Sequence, residues 1–460
     1  MMIRRLAALL FVLTAFCPAA MSDTQELLRM AAKATDGAVA VLSFKVAGEL
    51  APQTVTGLAF CIAPSGLFMS TALDVRMRPE DLSDFELTVP GQGGTKVKAR
   101  LVGIDPETGI GFLRPEGNQQ WKAIEAAETP DLRVGQGVAS AGLLPEDTGH
   151  AKYFGAGYVS AVVRVPEKQV YVTGGVLTVV GSPVLNEEGR LVGLVLRQLP
   201  MRRQFLPTDR GAVPIQTSGE RESSFFMPID ELKPVIDNAG KERKLSWIGA
   251  VEFKPVEEGL AKTRKLDKPG VMLDSIVPDS PAGKARLRNL DVIVGINGRP
   301  VEELGMPTLT AQNLNRFLMR LPPGTPLRLN IFRSENEVFE VSLKTAEFPK
   351  WTHQAERYYS PDLGFGIRER LMIDDYLKGG PEAKGPGVIV YAVRRDGPAH
   401  TAGMNNNDLV VSMGGIPVTT VEAFRDAEKK VLADKSLRLV EVVVMRGELK
   451  ETLKLQLGDR

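Results

Sequence analysis

Short runs of apolar or alternating residues, each about five to eight positions long, dominate the hydrophobic pattern of the first half of the chain. Such runs are typical of β-strands when turn residues bound them, as Pro64-Ser65-Gly66 and Asn186-Glu187-Glu188-Gly189 do here. Many short strands at this spacing predict an all-β barrel or sandwich. The runs are 39–44, 58–62, 67–71, 97–104, 137–142, 158–165, 169–173 and 191–197.

Helical periodicity is confined to a few segments. A helix is predicted over Thr24–Ala34, where four apolar residues share one stripe. A short helix-like run near 229–239 leads into the charged segment Lys241–Lys244, which we interpret as an interdomain linker. The residues of the first stripe are Leu27, Leu28, Ala31 and Ala32.

The second half of the chain contains an internal repeat of about 100 residues. Each copy continues into a predicted helix, near 310–321 or 420–432, and a closing strand, near 327–332 or 437–445. The first copy reads GVML at 270–273, SPA at 280–282, LDVI at 290–293 and NGRPV at 297–301. The second reads GVIV at 387–390, GPA at 397–399, NDLV at 407–410 and GGIPV at 414–418.

Length and charge set bounds on the class of protein. The 460 residues suggest two to four domains, and a formal net charge of +1 gives no general attraction to nucleic acid or an anionic membrane. No CxxC pair, phosphate loop or histidine cluster is present, so neither a cofactor nor a metal is expected.

The N-terminus has the pattern of a secretory signal over residues 1–22. Arg4 and Arg5 precede an apolar stretch that is short for a membrane span, and cleavage near Ala20 or Ser22 is expected. The mature protein is therefore predicted to be periplasmic or secreted, without a membrane span. Cys61 would then be the remaining cysteine, and its apolar surroundings favour a buried, inert thiol.

The repeat resembles a PDZ domain of the bacterial protease type, because both copies carry the order G-V-x-Φ, P-A, D-Φ-Φ and G-x-P-V. Two such copies after a secreted all-β domain resemble the HtrA-type (Do-like) serine proteases over nearly the whole mature chain. The resemblance implies a mainly β architecture, with a chymotrypsin/trypsin-like double β-barrel over 23–240. PDZ domains, β-sandwich-like with helices, would follow at 245–347 and 356–460.

The catalytic triad of that family is missing from the matching segments. Segment 57–75 resembles the stretch that carries the catalytic base, and Leu73 stands at the base position. Asp105-Pro106-Glu107-Thr108-Gly109 resembles the stretch with the orienting acid, whose place Gly109 takes. In segment 178–193 the nucleophile position carries Val180. Hydrocarbon or hydrogen at these positions cannot activate a hydroxyl or attack a carbonyl, which predicts an inactive protease homologue.

The alternative to this interpretation is a relocated catalytic site. Of the three histidines, only His150 falls in the barrel domain, and Ser182 lies two residues beyond the nucleophile position. We expect His150 to be solvated in a loop and Ser182 to belong to a turn. The run 176–180 is expected to form a buried strand, with the former oxyanion hole filled or collapsed.

The PDZ resemblance implies two grooves that bind peptides by strand addition, with a Φ-G-Φ loop receiving the terminal carboxylate. The loops would be Trp247-Ile248-Gly249-Ala250 and Leu363-Gly364-Phe365-Gly366. The helices would present Leu314, Phe317 and Leu318 in the first groove, and Val421 and Phe424 in the second. Core packing is the alternative role for the helix residues, and one groove could be closed.

The expected function is an exported, non-catalytic scaffold, regulator or chaperone that binds protein C-termini or extended peptides. Misfolded proteins or an active protease paralogue are the expected partners, and family analogy suggests a homo-oligomer, specifically a trimer. The alternative is an active serine endopeptidase with Ser182 as its nucleophile.

Overall fold

The computed structural model describes residues 19–457 except 49–50, 75, 91–95, 118, 129–131, 165, 197–203, 209–210, 216–223, 242, 336, 377–380 and 435. Most of the predicted signal segment therefore lies outside the described residues. The chain divides into two compact units, one within residues 19–47 and 53–243 and the other within 48–52 and 244–457. In the described part of the chain, no helix has the length and apolarity needed to cross a membrane.

The first six strands close into an antiparallel barrel in the order β1-β2-β3-β6-β5-β4. Side chains from alternate strand positions fill it, including the fully buried Leu42, Phe44 and Phe68. A 3₁₀-helix, Pro79–Asp81, precedes β4. The strands are β1 Val39–Val46, β2 Gln53–Ala63, β3 Leu67–Ser70, β4 Leu82–Thr88, β5 Lys96–Ile104 and β6 Gly111–Pro115.

A second six-stranded barrel closes in the order β10-β11-β14-β9-β8-β7, with a separate β12-β13 hairpin between β11 and β14. A 3₁₀-helix, Glu146–Thr148, lies between β7 and β8. The strands are β7 Gly137–Leu143, β8 Lys152–Arg164, β9 Lys168–Thr173, β10 Pro183–Leu185, β11 Leu191–Val195, β12 Gln204–Thr208, β13 Gly211–Ile215 and β14 Ser224–Pro228.

Among the described residues, two helices accompany the barrels: α1 at Ala19–Thr35 and α2 at Ile229–Asp237. Helix α1 starts five residues earlier than the periodicity predicts and packs against β7 and β8. Its predicted stripe is partly inward, since Leu27 and Ala31 are buried while Leu28 and Ala32 are half-buried.

The first repeat forms a sheet in the order β16-β17-β18-β20-β21, with β19 on β18 and a separate pair of β15 with β22. Its strands are β15 Ser246–Trp247, β16 Ala250–Pro255, β17 Val271–Ile276, β18 Val292–Ile296, β19 Arg299–Pro300, β20 Pro326–Ser334, β21 Glu337–Lys344 and β22 Ala346–Glu347. Its helices are α3 Glu258–Arg264, α4 Pro281–Lys284 and α5 Pro307–Arg320.

The second repeat forms a sheet in the order β23-β24-β25-β26-β28-β29, with β27 on β26. Its strands are β23 Arg357–Ser360, β24 Phe365–Glu369, β25 Val388–Val393, β26 Leu409–Met413, β27 Ile416–Pro417, β28 Leu439–Arg446 and β29 Leu449–Gln456. Its helices are α6 Pro398–Thr401 and α7 Val421–Ala433, with 3₁₀-helices at Thr352–Gln354 and Met372–Tyr376.

One ion pair recurs at the same place in both repeats. Arg333 donates through Nε and Nη2 to the carboxylate of Asp291 at 2.8 and 2.9 Å. Arg446 does the same to Asp408 at 2.7 and 2.8 Å. Both aspartates are buried and stand in the LDVI and NDLV motifs that defined the repeat. Two closed barrels followed by two sheets that share a five-strand order confirm the predicted mainly β architecture.

Candidate functional site

Leu73, at the predicted base position, lies in the core of the first barrel and is 3% exposed. Its side chain covers the backbone of Gly111, where an added Cβ would come 1.9 Å from Leu73 Cδ1. The loop after β3 nevertheless runs beside the nucleophile segment, since a Cβ on Gly181 would meet Thr71 Oγ1. The fold therefore brings the two segments together, but leucine contributes only packing there.

Gly109, at the predicted acid position, has a φ of 73° and closes a turn by donating its N–H to the Asp105 carbonyl at 2.9 Å. Two carboxylates lie in this turn, Asp105 and Glu107, and Arg243 binds both. Both oxygens of Asp105 have partners. One oxygen accepts the N–H of Glu107 and Thr108, and the other accepts Arg243 Nη1 at 2.8 Å. Asp105 thus stabilises the turn, and its carboxylate is not free to orient a base.

Val180, at the predicted nucleophile position, is 48% exposed. The prediction of a buried strand over 176–180 is wrong, because the segment has no strand and Val176 and Val179 are also exposed. Glycines explain the difference. Gly174 and Gly181 have positive φ, and Gly175 passes so close to Ala156 that a Cβ would lie 2.0 Å from its carbonyl oxygen.

Backbone amides near this turn are engaged by side chains of the second barrel. The trypsin-type oxyanion hole uses the N–H of the nucleophile and of the residue two positions before it. That second residue is Thr178, whose N–H donates to Ser140 Oγ at 2.8 Å. The Val179 N–H donates to Tyr153 Oη at 3.0 Å, and burial raises the pKa of Tyr153. The Thr178 donor is therefore unavailable to an incoming oxyanion.

Ser182 and His150, the alternative catalytic pair, are not joined. Ser182 is fully buried, and its hydroxyl has no hydrogen-bond partner among the described residues. His150 is half-buried, has a φ of 54° and follows the 3₁₀-helix Glu146–Thr148. A nucleophilic serine needs an adjacent base and access to the substrate, and Ser182 has neither among the described residues.

The predicted carboxylate loops have the same backbone arrangement in both repeats. The Ile248 carbonyl accepts the N–H of Ala282 at 2.7 Å, and the Leu363 carbonyl accepts that of Ala399 at 3.1 Å. The next residues, Gly249 and Gly364, have φ of 103° and 73°. Their carbonyls also accept a backbone N–H, from Val277 and from Arg394, each at 2.9 Å.

In the first repeat, β16 is an edge strand of its sheet in the described part of the chain, and α5 packs against it. Leu314 and Leu318 lie in the core, at 6% and 1% exposure, whereas Phe317 is 45% exposed. Ile248 and Ala250 are also core residues, and Trp247 is buried with its ring 5.4 Å from that of Phe348. Phe317 is therefore the predicted helix residue that remains accessible to a ligand.

In the second repeat, the predicted loop and helix residues are buried. Leu363, Phe365 and Phe424 are fully buried and Val421 is 2% exposed, and the rings of Phe365 and Phe424 pack edge to face at 5.5 Å. Gly366 lies under the ring of Tyr391, where a Cβ would come within 2.7 Å. Strand β23 pairs with the edge of β24, so Tyr358 in β23 belongs to this site although the sequence reasoning missed it.

Metal ligands and the cysteine thiol are the remaining groups that could carry chemistry. Within the described residues, no group of three or more His, Cys, Asp or Glu side chains could hold a metal ion. Cys61 is buried as predicted, its Sγ donates to the Ala63 carbonyl at 3.0 Å, and burial raises the pKa of its thiol.

Family models match both halves of the chain. Residues 56–194 match a trypsin-like peptidase domain, a range that includes all three predicted triad positions. Residues 361–457 match a PDZ domain.

Relatives and solved structures agree with these matches. The probable periplasmic serine endoprotease DegP-like of Halomonas elongata is 26% identical over 395 residues, covering 83% of this chain and 75% of that protein. Periplasmic serine endoprotease DegP of Salmonella typhimurium is 24% identical over 365 residues, covering 79% and 69%. A structure of the HtrA-type protease AlgW with decapeptide is alike in fold, with a TM-score of 0.52, 16% identity, and coverage of 70% and 99%.

Proposed function

Because this chain belongs to the HtrA-type family of trypsin-fold serine proteases with PDZ domains, we propose that it is a non-catalytic member that binds peptides. The observation that carries the proposal is the set of side chains at the triad positions, namely Leu73, Gly109 and Val180. Without an imidazole, a carboxylate and a hydroxyl in contact, no acyl-enzyme can form by the triad mechanism of this family.

The surroundings of these positions support the same proposal. Leu73 is packed into the barrel, Asp105 is bound by Arg243, and the Thr178 N–H is bound by Ser140. Loss of one triad member removes most of the acceleration that the triad supplies, and here none of the three is present.

Peptide binding is assigned to the PDZ grooves. A PDZ domain adds an extended segment to an exposed strand edge and holds its C-terminal carboxylate with loop amides. The edge of β16 that no described strand covers, the loop at Gly249 and the exposed Phe317 would supply these parts in the first repeat. The ligands would be C-termini or extended segments of other proteins, with misfolded proteins or an active protease paralogue as candidates.

The setting proposed for this activity is the envelope or the exterior of the cell, following the predicted signal segment and the periplasmic relatives. There the protein would act as a scaffold, regulator or chaperone in protein quality control. The barrels would be a platform for homo-oligomers, a trimer by family analogy.

The second candidate function is serine endopeptidase activity, favoured by the names of the relatives, which are called proteases. Its nucleophile would be Ser182. Burial of that side chain and the absence of a described partner for its hydroxyl weigh against it.

One preparation tests both functions. The full-length protein is titrated with a fluorescent library of C-terminal peptides, and the same sample is incubated with labelled casein. We expect saturable peptide binding in the micromolar range, about −8 kcal/mol, and no casein cleavage above buffer. Cleavage by the wild type that the Ser182→Ala variant lacks would overturn the proposal and establish the second candidate.

A further inference from the structure

The strand before the carboxylate loop follows different courses in the two repeats. In the first repeat, β15 pairs with β22 and leaves the outer edge of β16 unpaired by any described strand. In the second, β23 turns back and pairs antiparallel with β24, placing Tyr358 opposite Ile367 and Ser360 opposite Phe365. The edge to which a peptide would add is thus occupied by the chain itself.

The C-terminal end of β23 lies where a ligand carboxylate would lie. The Gly364 N–H donates to the Ser360 carbonyl at 2.9 Å, and the Leu363 N–H donates to Ser360 Oγ at 3.1 Å. Both amides belong to the Φ-G-Φ loop, whose amides receive the terminal carboxylate of a PDZ ligand. Ser360 is fully buried, so its two oxygens replace the carboxylate as acceptors.

The groove side of β23 is bound by helix α7. The Tyr358 ring lies 6.0 Å from that of Phe424, and its hydroxyl donates to Glu428 Oε2 at 2.6 Å. The guanidinium of Arg425 lies 4.9 Å over the same ring, and its Nη2 is 3.7 Å from Glu356 Oε1. Burial, followed by the hydrogen bond to Glu428, raises the pKa of Tyr358 to about 12. Tyr358 therefore fills the space between α7 and β24 as a ligand side chain would.

The N-terminal end of the segment is also held. The Glu369 N–H donates to the Glu356 carbonyl at 2.8 Å, which extends the ladder one residue beyond β23. Ala355 is fully buried and packs with Leu371 and Ile373. The segment from 355 to 360 is thus bound along its whole length, by a strand edge, a loop, a helix and a small apolar cluster.

We propose that residues 356–360 are a tethered ligand of the second PDZ groove, which is closed to free C-termini until this strand is displaced. The inference rests on the proposed function, since it assumes that these grooves bind peptides. It assigns capture of free ligands to the first groove. It also names the class of peptide that could compete for the second, a C-terminus with tyrosine two residues before a small final residue, as in Tyr358-Tyr359-Ser360.

A short tether makes displacement difficult. A ligand joined to its site by a few residues has an effective concentration in the millimolar range, about a thousand times that of a micromolar free peptide. The apparent affinity of the free peptide is reduced by the fraction of molecules in which the groove is open. Weakening the tethered strand should therefore raise that affinity directly.

The test uses the full-length chain and a fluorescein-labelled peptide with the sequence of residues 353–360 and a free C-terminal carboxylate. The Tyr358→Ala variant loses the ring contacts and the hydrogen bond to Glu428. We expect it to bind the peptide at least about tenfold more tightly than the wild type at the second groove. Hydrogen exchange of residues 363–367 locates the binding. The matched control, Tyr359→Ala, changes the same residue type one position along and should alter binding less than about twofold.

Equal affinity of wild type and Tyr358→Ala at residues 363–367 would overturn the inference. If the Tyr358→Ala variant does not fold, amide exchange of the wild type tests the inference instead. Slow amide exchange at 357–360, comparable to that of β25, is expected, and exchange at the rate of an open chain would contradict the occupied groove. Failure of the proposed function would give a different result. Added peptide would then not slow amide exchange at residues 248–250, while slow exchange at residues 357–360 would still be expected.

Discussion

A single glycine with positive φ lies in each predicted carboxylate loop. Gly249 and Gly364 have positive φ, and their carbonyls accept a backbone N–H in the same way in each repeat. The sequence singled out both residues, because a bare backbone is needed where another chain approaches closely. The sequence did not indicate which residue lies against Gly249. In the structure it is Ser280, whose Oγ would be 1.8 Å from a Cβ added at Gly249.

A Gly249→Ala substitution should destabilise the first repeat and weaken peptide capture by its groove. Alanine at a φ of 103° is strained by about 1–3 kcal/mol, and its Cβ would displace Ser280. Thermal unfolding and peptide titration measure the two effects. The matched control is Gly259→Ala in α3, where nothing lies within 4 Å of the added Cβ and about 0.5–1 kcal/mol of stabilisation is expected. Equal stability of the two variants would count against the strained loop.

The predicted triad positions rest on the sequence, but the shape of the predicted nucleophile segment could not be read from it. β-branched residues at 176–180 favour a strand when taken alone. Gly174, Gly175 and Gly181 instead allow a turn that passes close to Ala156 and Thr71. Such close approaches are tertiary contacts, so the local pattern could not indicate them.

Among the elements, the repeated arginine–aspartate pair joins the residue that immediately precedes β18 to β20, and the residue that immediately precedes β26 to β28. The sequence motif contained Asp291 and Asp408, but their partners Arg333 and Arg446 lie 42 and 38 residues further along the chain. An aspartate immediately before a buried strand can be recognised from the neighbouring sequence. The arginine that pairs with it cannot, because it is distant along the chain.

Removing the Arg333 side chain should lower the free energy of unfolding far more than its partial exposure suggests. Arg333→Ala leaves the carboxylate of Asp291, 1% exposed, without its charged partner, and breaking a buried pair costs about 3–5 kcal/mol. Chemical denaturation of the full chain measures the loss. The control is Lys262→Ala, which breaks the exposed pair with Glu258 and should cost less than about 0.5 kcal/mol. Similar losses for both variants would mean that Asp291 is not stabilised by Arg333.

The pairing partner of β23 could not be predicted from the local sequence pattern. Strands β15 and β23 lead into equivalent loops, yet β15 pairs with β22 and β23 pairs with β24. Which edge a strand joins is decided by tertiary partners, here Phe424, Glu428 and the amides around Gly364. The possibility of one closed groove followed from the sequence, but its occupant did not.

At the scale of the whole molecule, strand spacing predicts an all-β barrel or sandwich in the first half of the chain, and the internal repeat predicts two copies of one unit in the second. The double barrel was implied by the resemblance to the HtrA-type proteases. Element limits agreed to within about three residues for the two helices predicted in the repeats, α5 and α7, whereas the short helices α3, α4 and α6 were not predicted. The start of α1 at Ala19 was missed, since the predicted helix began where the predicted signal ended.

The central claim is that a trypsin-fold domain has here no nucleophile. Incubation of the full-length protein with an excess of a fluorophosphonate, followed by intact-mass spectrometry, tests it most directly. The account predicts an unchanged mass, since Val180 has no hydroxyl and Ser182 is fully buried. A single phosphonyl adduct mapped by peptide sequencing to a serine of the barrels would contradict it.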